Sequence, residues 1–462
     1  MSNASSLYDI VILGGGSGGY SCALRATQLG LNVALIEKGK LGGTCLHNGC
    51  IPTKALLHAG EVADQLRVSS SFGVLSTFEG VDMDGVHKYK DGVVEGLYKG
   101  LQGTLRARKN LTLVEGEGKL VSPTAVEVGG VRYEGRHVVL ATGSQPRSLP
   151  GLVIDGDRVI SSEQALRLER VPASVVILGG GVIGVEFASA WKSFGAEVTV
   201  VEGLPHLVPA EDESTSKALE RAFRRRRIKF ELGSRFSGVA YTDTGVRVSL
   251  ENGKELDADL LLVAVGRGPV SAGLGYEEVG VAMDRGHVVV DEYLRTNIPT
   301  ISAVGDLVPT LQLAHVGFAE GILVAERVAG RQVTPIDYDG VAKVTYCDPE
   351  IASVGLTEEK AKAVHGADKV VTLKFNSGSS GKNKILKAGG EIKLVQLKNG
   401  AVIGLHMIGP RMSEQIGEAQ LIYNWEAHPS EVAQLIHAHP TQNEALGEAH
   451  LALAGKPLHI HD

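Results

Sequence analysis

At 462 residues the chain can hold two to four domains, and a formal charge of −7 argues against a nucleic-acid partner. No apolar run reaches the roughly 18 residues of a membrane-spanning helix. The 59 glycines follow no period, which excludes collagen and suggests tight turns against ligands. Four cysteines in so long a chain suit a reducing, cytoplasmic setting, where a disulfide is more often catalytic than structural. The polar start, Ser2 to Ser6, leads into a strand pattern and does not read as a signal peptide.

Tyr8 to Leu13 reads as a short apolar strand, followed by Gly14-Gly15-Gly16-Ser17-Gly18-Gly19 and a helix to about Leu29. A second strand, Val33 to Ile36, ends at Glu37, which lies 23 residues after Gly14. This is G-x-G-x-x-G between strand and helix. Gly14 permits the tight turn, Gly16 lets the backbone reach a pyrophosphate, and Gly19 allows close packing of helix on strand. The free N–H groups and dipole of the helix then face the phosphates.

Cys45 and Cys50 follow, five positions apart in Gly42-Gly43-Thr44-Cys45-Leu46-His47-Asn48-Gly49-Cys50-Ile51-Pro52-Thr53-Lys54. Residues five apart in a regular helix have Cα atoms about 8–9 Å apart, whereas a disulfide needs roughly 4.4–6.8 Å. If they bond, the segment bends, and Gly49 offers the freedom. A bridge across so short a loop is a candidate for a working disulfide. Two unpaired thiols, or half of a metal site, are the alternatives.

The first unit returns 165 residues on. Val175 to Leu178 is the strand, Gly179-Gly180-Gly181-Val182-Ile183-Gly184 the loop, and Val198 to Val201 the second strand, ending at Glu202. A repeated binding unit implies two dinucleotide sites. Nicotinamide releases electrons as a hydride, which a disulfide accepts poorly, whereas a flavin can exchange electrons with both. The cysteines belong to the first unit, so FAD is expected there and the nicotinamide in the second. A carboxylate at Glu202 favours a ribose 2′-hydroxyl over a 2′-phosphate, and Gly203-Leu204-Pro205 supply no arginine, so the nucleotide expected is NAD. The basic run Arg224 to Arg227 ends a helical pattern begun near Glu213 and is expected to be a solvated face.

From about Lys343 the character changes. Glu391 to Leu397 and Ala401 to Met407 are strand patterns joined by Lys398-Asn399-Gly400, whose Asn-Gly signals a hairpin. Helical patterns follow near Ser413 to Ala427, Pro429 to Ile436 and Gln442 to Ala454. Between the last two lies His437-Ala438-His439-Pro440-Thr441-Gln442-Asn443-Glu444. Pro440 disfavours helix at His439, and Thr441-x-x-Glu444 reads as a capping box.

These motifs, in this order, resemble the pyridine-nucleotide disulfide oxidoreductases. That family's lipoyl branch usually reads GGTCLNVGCIPSK where this chain has GGTCLHNGCIPTK, departing at His47, Asn48 and Thr53. Its glutathione-reducing branch typically reads GGTCVNVGCVPKK, so Leu46 and Ile51 lean towards the lipoyl branch. The resemblance implies an α/β fold with two Rossmann-like dinucleotide-binding domains and a C-terminal α+β dimerisation domain. Boundaries fall at 1–150 (FAD-binding), 151–272 (NAD-binding), 273–342 (central, completing the FAD site) and 343–462 (interface). It also implies a homodimer acting on dihydrolipoyl groups of carrier proteins, in 2-oxoacid dehydrogenase or glycine-cleavage complexes.

For single residues, it implies that Cys45 and Cys50 form the redox disulfide. His439 is then the acid–base and Glu444 its orienting partner. Lys54 and Glu186 pair beside flavin and nicotinamide, while Gly118, Thr142 and Gly143 lie in flavin-contacting loops. Asp306, in TNIPTISAVGD, would hold the ribityl chain, and Ala314, in QLAH, would contact FAD through its backbone. Gly266 closes the second domain. After it the chain reads Arg267-Gly268-Pro269-Val270 where the family commonly has RxPN.

Overall fold

The computed structural model describes residues 7–459; Ser2 to Ser6 lie outside them. The first unit runs β1 (Tyr8–Leu13), α1 (Ser17–Gln28), β2 (Val33–Glu37), α2 (Gly43–His47), α3 (Cys50–Val68), α4 (Met83–Arg106), β3 (Leu111–Glu115), β4 (Gly118–Ser122), β5 (Ala125–Val128) and β6 (Val131–Leu140). Ile10 to Leu13 and Val33 to Ile36 are buried runs rather than alternating ones, as parallel strands covered on both faces require. The sheet order is β3-β2-β1-β6-β5-β4. β6 changes partner along its length: Val131 to Glu134 pair antiparallel with β5, and Gly135 to Leu140 pair parallel with β1.

The second unit repeats this plan. It comprises β7 (Ser144–Pro146), β8 (Val159–Ser161), α5 (Ser162–Ala165), β9 (Ser174–Leu178), α6 (Val182–Phe194), β10 (Glu197–Glu202), α7 (Glu213–Arg225) and β11 (Lys229–Leu232). Its sheet is ordered β11-β10-β9, then Leu260–Val263, then β8, all parallel. The chain then returns to the first unit, where Ile301–Ala303 pairs with β6 and helix Ala314–Val328 packs on α1. The two helices approach so closely that a Cβ on Gly321 would lie 2.3 Å from the Gly18 carbonyl oxygen.

The last region is a five-stranded antiparallel sheet with Lys343–Thr345 at one edge and Val370–Asn376 at the other. Its hairpin turns at Asn399, whose φ is +60°. Three expectations need correction here. The helix expected to reach Ile436 spans only Pro429–Val432, because Val432 has a core to enter while Leu435 and Ile436 are 58% and 99% exposed. The capping box at Thr441 is half formed: Glu444 accepts the Thr441 N–H at 2.7 Å, but the Thr441 hydroxyl donates to the Ala438 carbonyl. The basic run is not uniformly solvated, since Arg226 turns inward to Asp64 (3.0 Å) and the Ser193 hydroxyl (2.7 Å).

Candidate active site

Both glycine loops take the same form. Gly14 and Gly179 have φ of +107° and +104°, and a Cβ on either would lie 2.3 Å from a carbonyl oxygen, of Ala141 or Ala264. A Cβ on Gly19 or Gly184 would fall within 2 Å of the oxygen of Gly14 or Gly179. Those four are glycine for packing. Gly16 and Gly181 differ: a Cβ there would meet nothing closer than 3.9 Å, and α1 and α6 begin without a side-chain cap. Free N–H groups beside open space suit a pyrophosphate.

The two acids do more than their spacing suggests. Glu37 accepts the N–H groups of Gly15 (2.6 Å) and Gly39 (2.8 Å), and Glu202 accepts those of Gly180 (2.7 Å) and Leu204 (2.9 Å). Each carboxylate therefore braces its own glycine loop. Gly14, Gly16, Glu37, Thr142 and Gly143 line a cavity of about 990 Å³. Gly179, Gly181, Glu202 and Gly266 line another of about 860 Å³. Both are large enough to take a nucleotide cofactor. Gly118 lines neither; its Cα is enclosed by Leu13, Val126 and Ile36, a packing reason for glycine.

Between the cavities runs a polar bridge. Thr44 lines the first and Arg267 the second, and Arg267 donates to Thr44 Oγ1 (3.4 Å) and Ser144 Oγ (2.8 Å). Ser144 in turn donates to Asp306 (2.5 Å). The turn holding Asp306 rests on a residue that sequence reasoning missed. Glu320, fully buried, accepts the Gly305 N–H (2.6 Å) and the hydroxyls of Thr310 (2.8 Å) and Tyr338 (2.9 Å). Its only sequence signal is an acid in the apolar middle of helix Ala314–Val328, six residues before Glu326 near the helix end. Ala314 opens that helix, again without a side-chain cap.

The cysteine segment is broken into two helices. Helix α2 ends at His47, the chain turns through Asn48 and Gly49, and Cys50 begins α3. Both cysteines are free thiols, half-buried and within hydrogen-bonding reach of each other. They differ in acidity. The hydrogen bond from Cys45 lowers the Cys50 thiol to about 7 despite burial, with Lys54 adding to the effect; the Cys45 thiol is pushed up by that bond and by burial. Lys54 lies four residues after Cys50, on the same face of α3. Burial opposes its charge, but Glu186 outweighs it at 2.8 Å and keeps the ammonium protonated. Among the described residues no group of three metal-ligating side chains stands together.

Of the departures in this loop, Thr53 donates its hydroxyl to the Gly49 carbonyl (2.6 Å). His47 bonds the Leu41 carbonyl (2.9 Å) and meets the Tyr98 ring edge-on. Asn48 accepts from Arg167 (2.9 Å), tying the turn to the second unit.

His439 stands apart from all of this. Its Nδ1 lies 2.6 Å from Glu444 Oε1, leaving Nε2 outward on a side chain 75% exposed. Burial opposes the Glu444 charge, but the Thr441 N–H and His439 hold its carboxyl below the usual range. His437 instead packs on Gly447 and pairs with Glu418 at 2.7 Å, a structural role.

Residues 8–321 match the pyridine nucleotide-disulphide oxidoreductase family, and residues 341–450 match that family's dimerisation domain. The chain belongs to this family. As an oxidoreductase of this kind it works with FAD and NAD(H). It is 40% identical to dihydrolipoyl dehydrogenase of Bacillus subtilis, over 98% of this chain and 99% of the relative. It is 39% identical to dihydrolipoyl dehydrogenase 1 of Arabidopsis thaliana, over 99% of this chain and 93% of that one. Among solved structures, LpdA of Mycobacterium tuberculosis superposes with a TM-score of 0.89 at 27% identity, covering 96% of this chain and 99% of the other. The oxidoreductase has, among its described residues, no helix long and apolar enough to cross a membrane.

Proposed function

We propose that the protein oxidises dihydrolipoyl groups on carrier proteins and passes the electrons to NAD⁺. The observation that carries this reading is the pair Cys45–Cys50 set across the turn between α2 and α3, with Lys54, held by Glu186, one helical turn after Cys50. The similarity to dihydrolipoyl dehydrogenases along nearly the whole chain supports the choice of dithiol. Lipoylated carriers of 2-oxoacid dehydrogenase or glycine-cleavage systems are the partners in this reading, and the cytoplasm is its setting.

His439 Nε2 takes a proton from one substrate thiol, and Glu444 holds the ring and steadies its charge. The substrate thiolate attacks the Cys45 sulfur of the oxidised pair; a bond to Cys45 forms, the Cys45–Cys50 bond breaks, and Cys50 leaves as thiolate. The second substrate sulfur, giving up its proton, attacks the first, closing the cyclic disulfide. Cys45 leaves as the sulfur that regains a proton. The substrate has lost two electrons and the cysteines have gained them, which leaves Cys45 and Cys50 as a dithiol. FAD, held in this reading by Gly16, Glu37, Thr142 and Asp306, supplies the two-electron relay to NAD⁺ that sulfur alone lacks. Lys54 and Glu186 fix the charge beside Cys50 during that transfer.

The exposed His439 lies in the dimerisation domain, with its hydrogen bond made to Glu444, and in this reading a partner subunit brings it to Cys45. The test is a thiol-dependent assay of purified protein with dihydrolipoamide against glutathione, and NAD⁺ against NADP⁺. Preference for dihydrolipoamide with NAD⁺ is expected; preference for the glutathione couple would overturn the reading.

A further inference from the structure

The segment after Glu202 contains no arginine, but the fold delivers one to the same place. Strands β10 and β11 are parallel, with Glu202 opposite Leu232, so the turns leaving the two strands lie side by side. They are joined by backbone bonds: Gly233 N–H donates to the Leu204 carbonyl (2.9 Å) and Ser234 N–H to the Glu202 carbonyl (3.1 Å). The Arg235 carbonyl is itself held by the Glu251 N–H (2.9 Å). This brings the Arg235 stem to Gly203, where a Cβ on that glycine would sit 3.6 Å from Arg235 Cγ. Arg235 lines the 860 Å³ cavity together with Glu202. Among the described residues its guanidinium has neither ion pair nor hydrogen bond, although Glu211 and Glu251 line the same cavity.

We propose that Arg235 reads the 2′-position of the adenosine ribose and lets this site accept a 2′-phosphorylated nucleotide beside its preferred NAD⁺. The inference rests on the second cavity being the nicotinamide-nucleotide site. Glu202 is fastened by two N–H groups, so its carboxylate stays and repels a 2′-phosphate. A phosphate monoester there carries close to two charges, and a guanidinium answers it with paired hydrogen bonds. The two side chains oppose each other at one ribose carbon, and discrimination is narrower than Glu202 alone would make it. An ion pair on so exposed an arginine is screened by salt.

Calorimetric titration of the FAD-loaded protein with 2′,5′-ADP and with ADP-ribose tests this without turnover. Arg235→Ala should weaken 2′,5′-ADP about tenfold more than ADP-ribose, Arg235→Lys should recover part of the loss, and the wild-type difference should shrink in high salt. Equal weakening of both ligands would make Arg235 a general adenosine contact, and no change in either would remove it from the site; both overturn the proposal. Binding of neither ligand by the wild-type protein would instead strike at the assignment of the cavity.

Discussion

Lys54 and Glu186 meet at 2.8 Å, although 132 residues separate them. Each sits in the first turns of the helix after its unit's functional loop, α3 or α6. The helices touch through Gly60, where a Cβ would lie 2.9 Å from that of Ser193. The pair fixes an ammonium beside Cys50 and braces the two nucleotide units against each other. Glu186 also accepts the Tyr346 N–H (2.9 Å), so the third region joins the same carboxylate.

Removing that charge should weaken the Cys50 thiolate. In the reduced protein, the rate of alkylation by iodoacetamide should rise with pH through an inflection near the value of about 7 that Lys54 helps to set. The Lys54→Met/Glu186→Gln variant, which strands no buried carboxylate, should move the inflection up towards the ordinary thiol value of about 8.5. An inflection that stays put would mean that the Cys45 hydrogen bond alone lowers Cys50.

Complementation tests the shared site. His439→Ala should reduce turnover about 10²–10⁴-fold while FAD stays bound. Mixed with Cys45→Ser subunits and allowed to exchange, it should regain activity, because both defects fall in one site of the mixed dimer and the other is intact. No recovery after demonstrated exchange would mean that each subunit supplies its own histidine.

Exchanging Glu202 should do two things at once. Glu202→Ala leaves the half-buried Gly180 N–H without its partner, a loss on the order of 1–3 kcal/mol, while water can replace the carboxylate at the exposed Leu204 N–H. NAD⁺ affinity should therefore fall by tenfold or more, and NADP⁺ should gain little despite the removed charge. Titration of NADH by fluorescence checks the first, and steady-state kinetics with both nucleotides the second. A large gain for NADP⁺ would show that the loop keeps its shape without the carboxylate.

The C-terminal region is held to the second unit by Lys393, whose ammonium lies 2.7 and 2.9 Å from the two oxygens of Asp212, both residues being buried. Burial opposes the Asp212 charge, but Lys393 and Ser214 outweigh it and hold the carboxyl well below its usual range. A depressed carboxyl stabilises the fold above its unfolded value of about 3.9 and loses that contribution as pH falls below it. Lys393→Met should cost about 3–5 kcal/mol at pH 7, since it removes the cation paired with a buried carboxylate. The difference from wild type in urea-unfolding midpoint should shrink below pH 4. A difference constant with pH would assign the loss to packing.

What the sequence determined by itself is what neighbouring residues decide. A glycine at φ +107° or +104° stands where an apolar strand must turn sharply into a helix, and both loops were legible for that reason. So were the acids 23 residues on and the cysteines that no straight helix could join. Composition could not say why Gly118 is a glycine, because Leu13 and Ile36 surround it from two other strands. Nor could it give the length of the helix from Pro429, which ends where its side chains lose a core to enter. The Glu186–Lys54 pair was expected from the family resemblance alone, while Glu320 on Gly305 and Arg235 beside Glu202 belonged to the tertiary structure. Parallel strands and crossed helices bring together residues far apart in the chain, and the hydrogen-bond register that sets those meetings is a property of the assembled sheets.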